Sequence, residues 1–377
     1  MSWSFRIGKI FGIPIEIHIT FILIIPILTW IIGTQANEVL NLLNFPYLSP
    51  FDSSLLTTSF YPYLLGFLIS MGLFLGVFVH ELAHSIIALR NGVKIKSITL
   101  LLFGGVATID EENVLPEVEL PMAFIGPFVS LLFGIFCFFC AFLAKQFILS
   151  PPAEGFFVFL FGYLGLLNLM LCGFNLIPAF PMDGGRVLRA YLARRMPLYK
   201  ATKIASDIGR VFAIIFGLIS IFTFNPILLI IAFFIYMGAN EEYSRDKIAS
   251  LLQGVRIGDV MSAEVMTVSP GLSIPELLNL MLITKHLGFP VKETGSIVGM
   301  VTLSDIQKVD HIDREAMQVK DIMTRDIVTL SKDTEIMKAY RLMVERQIGR
   351  IPIMEEDSLI GIVTKTDILK IIEIREV

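Results

Sequence analysis

Charged residues are scarce in this 377-residue chain: Asp, Glu, Lys and Arg make up 17% of it, and no dense basic run occurs. With a formal net charge of −4 and no basic tract, nucleic acid is not an expected partner. Cysteine is rarer still. Cys137, Cys140 and Cys172 all fall in apolar segments, so no disulfide framework is implied. The C-x-x-C spacing of Cys137 and Cys140 reads as small packing residues on a lipid-embedded helix, not as a redox pair. There are only five histidines, so two of them four positions apart carry information. What the chain has in abundance is apolar surface. It is 55% hydrophobic with 31 Phe and a mean hydropathy of +0.74, values suited to a multi-span membrane protein. The bias is uneven. Residues 1–240 hold nearly all the long apolar runs, whereas 245–377 have the mixed charge of an ordinary soluble domain.

Six apolar segments can be drawn, at about 13–33, 64–89, 121–149, 156–180, 203–224 and 226–240. Arg6 and Lys9 before the first resemble the start of a signal peptide. That run is long enough for a full span, however, and no small-residue cleavage site follows, so it is read as a retained helix. Basic residues alternate between connections. Arg90, Lys94 and Lys96 follow the second segment, and Arg186, Arg189, Arg194, Arg195 and Lys200 follow the fourth. On the opposite side there is only Lys145. The excess of positive charge on one side predicts a multi-pass protein of the cell membrane with both termini in the cytosol.

Within the second segment stands His80-Glu81-Leu82-Ala83-His84. On a helix, positions i and i+4 project from the same side, so two imidazoles can hold one metal ion while the Glu lies beside its open position. This is the zinc-hydrolase spacing, with Glu81 as candidate general base and His80 and His84 as candidate ligands. Counted inward from Arg90, His84 lies about 9 Å and His80 about 15 Å deep at 1.5 Å per residue. The site is therefore inside a hydrocarbon core of about 30 Å, nearer the cytosolic side. Water must reach it through a polar cavity. A catalytic zinc takes a third protein ligand. The fourth segment ends in Asn175-Leu-Ile-Pro-Ala-Phe-Pro-Met-Asp183-Gly-Gly, where two prolines and two glycines break the helix. Alone, Asp183 before Gly-Gly reads as a turn or helix-start residue. Beside a buried histidine couple it becomes a candidate ligand.

The H-E-L-A-H helix, the N-L-I-P-A-F-P-M-D-G-G run and the Gly104-Gly105 loop together resemble the site-2 protease family of intramembrane zinc metalloproteases, nearest its archaeal-type branch with C-terminal CBS domains. The resemblance covers essentially the whole chain. It implies His80, His84 and Asp183 as zinc ligands, Glu81 as catalytic base, and a transmembrane helix of another protein as substrate. No PDZ-like insertion of the kind found in some bacterial relatives is visible. Asn175 is a candidate hydrogen-bond donor to the tetrahedral intermediate or to substrate backbone, with a helix-break role as the alternative. Asn168, one or two turns earlier, is a further candidate. His18, on the first segment, is expected to make an interhelical hydrogen bond. Residues 97–109 are rich in strand formers around Gly-Gly. They predict either a membrane-associated strand that captures unwound substrate by β-augmentation or a simple hairpin.

From Val255 the sequence repeats itself. Asp259-Val-Met261 matches Asp321-Ile-Met323, and the stretch from Gly299 to Ile306 matches that from Gly361 to Ile368, each pair 62 positions apart. Gly288-Phe-Pro290 and Gly349-Arg-Ile-Pro352 differ by one residue, a local slip. Each copy predicts strand, helix, two strands, helix. The repeat resembles a tandem CBS pair. That resemblance implies an adenine nucleotide (ATP, ADP or AMP) near Thr302, Asp305, Thr364 and Asp367, with Arg350 and Lys365 as candidate phosphate partners. The alternative is that the pair only forms a homodimer and these residues cap helices. His286 and His311 are expected at the surface.

The expected organisation is a six-helix membrane domain over 1–240, a connector over 241–254, and a soluble α/β tandem CBS domain at 255–312 and 313–377. The expected function is zinc-dependent endoproteolysis of membrane-protein helices, modulated by adenine nucleotide. A CBS-regulated transporter and an inactive helix-binding relative are the rival classes.

Overall fold

The first apolar segment divides in two. In the computed structural model, which describes residues 3–42, 52–101, 104–109 and 116–376, Ile13–His18 is a strand and the helix begins only at Ile19. Ile13 and Ile15 are buried while Pro14 and Glu16 are half-exposed, the period of two that a sheet requires. Averaged hydropathy hid that alternation, so the expected span from residue 13 is corrected to a strand followed by a helix. The N-terminal strand β1 (Ser4–Ile10) pairs antiparallel with β2 (Ile13–His18). Strand β2 in turn runs parallel to β3 (Ile95–Leu101), and β3 forms a hairpin with β4 (Gly104–Ile109). The sheet order β1-β2-β3-β4 leaves β4 on an edge. The 97–109 stretch, expected as a substrate-capturing strand or a simple hairpin, thus supplies half of a four-stranded sheet; Leu102 and Phe103 lie outside the described residues.

The helices follow: α1 (Ile19–Leu42), α2 (Tyr61–Arg90), α3 (Pro116–Phe147), α4 (Pro151–Asn175), the ten-residue α5 (Asp183–Leu192), α6 (Leu198–Thr223) and α7 (Pro226–Leu252). Among the described residues, α2, α3, α4, α6 and α7 are long and apolar enough to cross a membrane, and α1 adds a shorter apolar stretch, Ile19–Gln35. Helix α2 starts with Pro62 in its first turn and ends at Arg90, followed by Gly92 at φ 80°. Proline at a helix start and left-handed glycine just past its end are the expected punctuation. Leu65 and Ile69 of α2, Cys137 of α3, and Phe159 and Leu164 of α4 form one buried cluster. Phe139, Phe142, Leu218 and Phe222 stay exposed on the outside, where acyl chains would cover them. Helix α4 stops at Asn175, and an irregular stretch leads to Asp183, the first residue of α5.

The chain divides into two compact units, residues 1–244 and 245–377. The expected connector begins as a continuation of α7, which runs on to Leu252. The second unit contains α8 (Ile274–Thr284), β5 (Gly288–Glu293), β6 (Ser296–Thr302), α9 (Leu303–Gln307), α10 (Val319–Ile322), α11 (Ile336–Glu345), β7 (Arg350–Glu355), β8 (Ser358–Thr364) and α12 (Lys365–Glu376). Hairpins β5–β6 and β7–β8 have equivalent registers. The copies exchange edges: Ser262 bridges to Ile362 of β8, and Thr324 bridges to Met300 of β6. A side chain on Gly361 would strike Met261 Sδ, and one on Gly299 would strike Met323 Sδ. These crossed contacts explain why Gly and Met recur in both copies. The registers also correct the expected slip. Pro290 and Pro352 are equivalent, so Gly288 corresponds to Arg350, not to Gly349.

Candidate metal centre

One turn apart on α2, His80 and His84 present Nε2 to the same atom. Oδ2 of Asp183 lies 3.0 Å from His80 Nε2 and 3.1 Å from His84 Nε2. All three ligand atoms fall within 4.8 Å of one another, and His80 is 4% exposed. The other nitrogen of each ring is also engaged. His84 Nδ1 donates to the Met122 carbonyl at 2.5 Å, so Nε2 is the nitrogen whose lone pair the neutral ring would offer to a metal. His80 Nδ1 lies 2.8 Å from Ser130 Oγ. Outer partners of this kind orient imidazoles for a metal. Two imidazole nitrogens and one carboxylate oxygen make a donor set that suits zinc and leaves a fourth position open.

Helix α3 supplies both outer partners, and it comes unusually close. A Cβ on Gly126 would collide with both imidazole rings, so only glycine lets α3 pass beneath them. Asp183 arrives from the other side. A Cβ on Gly184 or Gly185 would strike the backbone of Leu176–Phe180, so these two glycines let α5 fold tightly back on the irregular stretch.

A cavity of about 510 Å³ opens on this cluster. Glu81 and Asn175 line it together with the triad, and Gly104 to Ala107 of β4 form one wall. A Cβ on Gly105 would meet the Glu81 side chain, so the strand edge passes directly beside the carboxylate. Asn175 Nδ2 donates to Leu171 O of its own helix at 3.0 Å. Asn168 is wholly buried between helices and does not line the cavity. Among the described residues, His18 makes no interhelical hydrogen bond. It ends β2 and bonds locally to Thr20 Oγ1 at 2.8 Å, because the residue belongs to the strand and not to a span.

In the second unit, Asp305 and Asp367 occupy equivalent places. Asp305 Oδ2 accepts from Thr302 N at 3.0 Å and Thr302 Oγ1 at 2.7 Å. Asp367 Oδ2 accepts from Thr364 N at 2.9 Å and Thr364 Oγ1 at 2.7 Å. Each carboxylate therefore caps a helix with one oxygen. Arg350 Nη1 donates to the Gly288 carbonyl at 2.5 Å, and burial lowers the pKa of its guanidinium. Lys365, His286 and His311 are exposed.

Ser130, the Met122 carbonyl and Gly126 are the parts of the site that residue spacing did not single out. A Gly-Pro pair in the middle of an apolar segment was the available signal for Gly126.

Comparison with known proteins bears on both units. Residues 68–156 and 146–216 match peptidase family M50, and residues 257–311 and 319–374 match the CBS domain. Zinc metalloprotease MJ0392 of Methanocaldococcus jannaschii is 37% identical over 100% of this chain and 98% of its own length. A solved structure, the site-2 protease from Methanocaldococcus jannaschii, is 38% identical, covers 64% of this chain and 95% of that one, and superposes with a TM-score of 0.43. The CBS domain pair of protein MJ0100, solved with 5′-methylthioadenosine and S-adenosyl-L-methionine, is 25% identical over 32% of this chain and 96% of that chain, with a TM-score of 0.30. Membership of this kind decides between hydrolase and transporter: the chain belongs to peptidase family M50, the site-2 proteases, and is a membrane metalloprotease that carries a CBS pair.

Proposed function

We propose that His80, His84 and Asp183 hold one catalytic zinc ion and that the protein is a multi-pass intramembrane endopeptidase that cuts peptide bonds in or near transmembrane helices of other proteins. The convergence of three ligand atoms on a cavity that also holds Glu81 carries this reading. In such a site zinc supplies an acidified water and a polarised scissile carbonyl. Glu81 accepts the proton of the attacking water and delivers it to the leaving amine nitrogen. The Asn175 amide offers a hydrogen bond to the carbonyl oxygen as it gains charge.

Substrate capture falls to β4. A peptide bond inside a helix is shielded by its own hydrogen bonds, so the substrate must unwind first. Strand β4, at the sheet edge among the described residues, offers backbone groups to the extended segment next to Glu81. Basic residues in the connections after α2 and α4 support an orientation with both termini in the cytosol.

The CBS pair binds an adenine nucleotide and modulates cleavage. Asp305 and Asp367 each use Oδ2 to cap a helix; Oδ1 of Asp367 is then offered to a ribose hydroxyl, while Oδ1 of Asp305 accepts from Lys308 Nζ at 3.2 Å and keeps a second lone pair for one. Lys365 and Arg350 supply charge for phosphate. The test of the reaction is Glu81→Gln in a zinc-replete cleavage assay with detergent-solubilised protein. A loss of about 10²-fold or more, with the metal retained, is expected. Full activity in that variant would remove Glu81 as the base.

A further inference from the structure

A buried ion pair lies close to the metal centre and is not used by the proposed reaction. Arg189 Nε donates to Glu119 Oε1 at 3.0 Å and to Oε2 at 3.3 Å, and its Nη2 also reaches Oε1. Arg189 is 8% exposed and Glu119 is 3% exposed. The guanidinium stacks over the Phe180 ring with its carbon 5.0 Å from the centroid, and Nη1 faces Glu242 Oε2 at 3.7 Å.

Such a pair is seldom kept for stability, because desolvating both charges offsets most of their attraction. Its value is directional. A guanidinium that engages both oxygens of a carboxylate fixes the rotation and the depth of the helix that carries it. That helix is α5, which carries Asp183 on its first residue and Arg189 in its last turn. The helix at the other end is α3. Glu119 precedes Met122 by three positions on α3, so it lies on the face that also presents the carbonyl holding His84. One side-chain contact thus joins the helix that offers the carboxylate to the helix that orients the imidazoles.

We propose that the Glu119–Arg189 pair is a positioning element for the metal centre, setting where Asp183 stands relative to His80 and His84. This rests on the metal-centre reading above. It assigns Glu119 and Arg189 no contact with substrate, and it predicts an effect on metal binding before any effect on substrate.

The experiment is a Co²⁺ titration of the purified full-length protein, followed by visible ligand-field absorption, for the parent, Glu119→Gln and Arg189→Lys. The parent is expected to give an intense tetrahedral-type band that saturates at one ion per chain. Glu119→Gln is expected to bind Co²⁺ about tenfold to hundredfold more weakly, with an altered band. Arg189→Lys keeps the charge but loses the two-pronged fork, and is expected to fall between the two. In residual cleavage with saturating zinc, kcat should fall while KM holds. Parent-like affinity and spectrum in both folded variants would overturn the proposal. Failure of both variants to fold would also overturn it, because the pair would then serve stability and not ligand placement. A parent without the cobalt band would instead remove the metal centre itself, and the role of the pair with it.

Discussion

At the scale of single residues, the site separates into groups that donate and groups that aim the donors. His80-Glu81 and His84 could be read directly, because a four-residue spacing on a helix already states which side chains converge. Asp183 needed its neighbours, since Asp before Gly-Gly has a turn reading of its own. Ser130 and Met122 could not be read. Their role depends on how α3 packs against α2, and Met122 acts through a carbonyl that every residue possesses. These aiming groups make testable claims. Ser130→Ala removes the partner of His80 Nδ1 and should weaken zinc binding about tenfold to hundredfold in a chelator competition, leaving helical content unchanged. Gly126→Ala is more severe, because its methyl group would occupy space now held by both imidazole rings. It should leave purified protein largely free of metal. Parent-like zinc content in Gly126→Ala would mean that α3 does not pass as close as the structure shows.

At the scale of elements, strands are where sequence and structure diverged. Ile13, Ile15 and Ile17 alternate with Pro14, Glu16 and His18, a strand signal that was swallowed by the apolar run after it. The parallel pairing of β2 with β3 joins segments some eighty residues apart, which no local pattern encodes. In the CBS pair, the recurring Thr-x-x-Asp revealed the repeat. Only the hairpin registers showed Gly288 and Arg350 as equivalent in the pseudo-symmetry, with the Arg350 guanidinium packed over the Gly288 backbone. Strand β4 carries the prediction at this scale. Proline removes a backbone donor and is tolerated on an edge only where that donor is unused by the ladder. Val106→Pro and Ala107→Pro, made in turn, should include one variant that folds normally yet cleaves a transmembrane substrate about tenfold or more slowly, through loss of main-chain pairing. Normal turnover in both would exclude the edge as the capture surface.

At the scale of the whole molecule, the apolar bias of the first 240 residues and the 62-residue repeat were enough to foresee a membrane unit followed by a soluble pair. The helices long enough to cross a membrane confirm the first part of that reading. The proposed regulation by nucleotide is tested on the chain that carries both units. Adenine nucleotide should change the cleavage rate of the full-length protein, and Asp305→Ala or Asp367→Ala should blunt that change. Each of those variants also loses a helix cap worth about 1 kcal/mol, so a drop of a few degrees in Tm is expected alongside. Equal rates with and without saturating ATP, ADP and AMP would remove nucleotide from the account. The claim beneath all of these is that two histidines of α2 and the first residue of α5 share one zinc ion. X-ray absorption at the zinc edge of the purified, intact protein reads it directly. The account predicts one zinc per chain, bound by two imidazole nitrogens and light oxygen donors, with the signal lost in His80→Ala. Absence of zinc, or an unchanged spectrum in that variant, would contradict it.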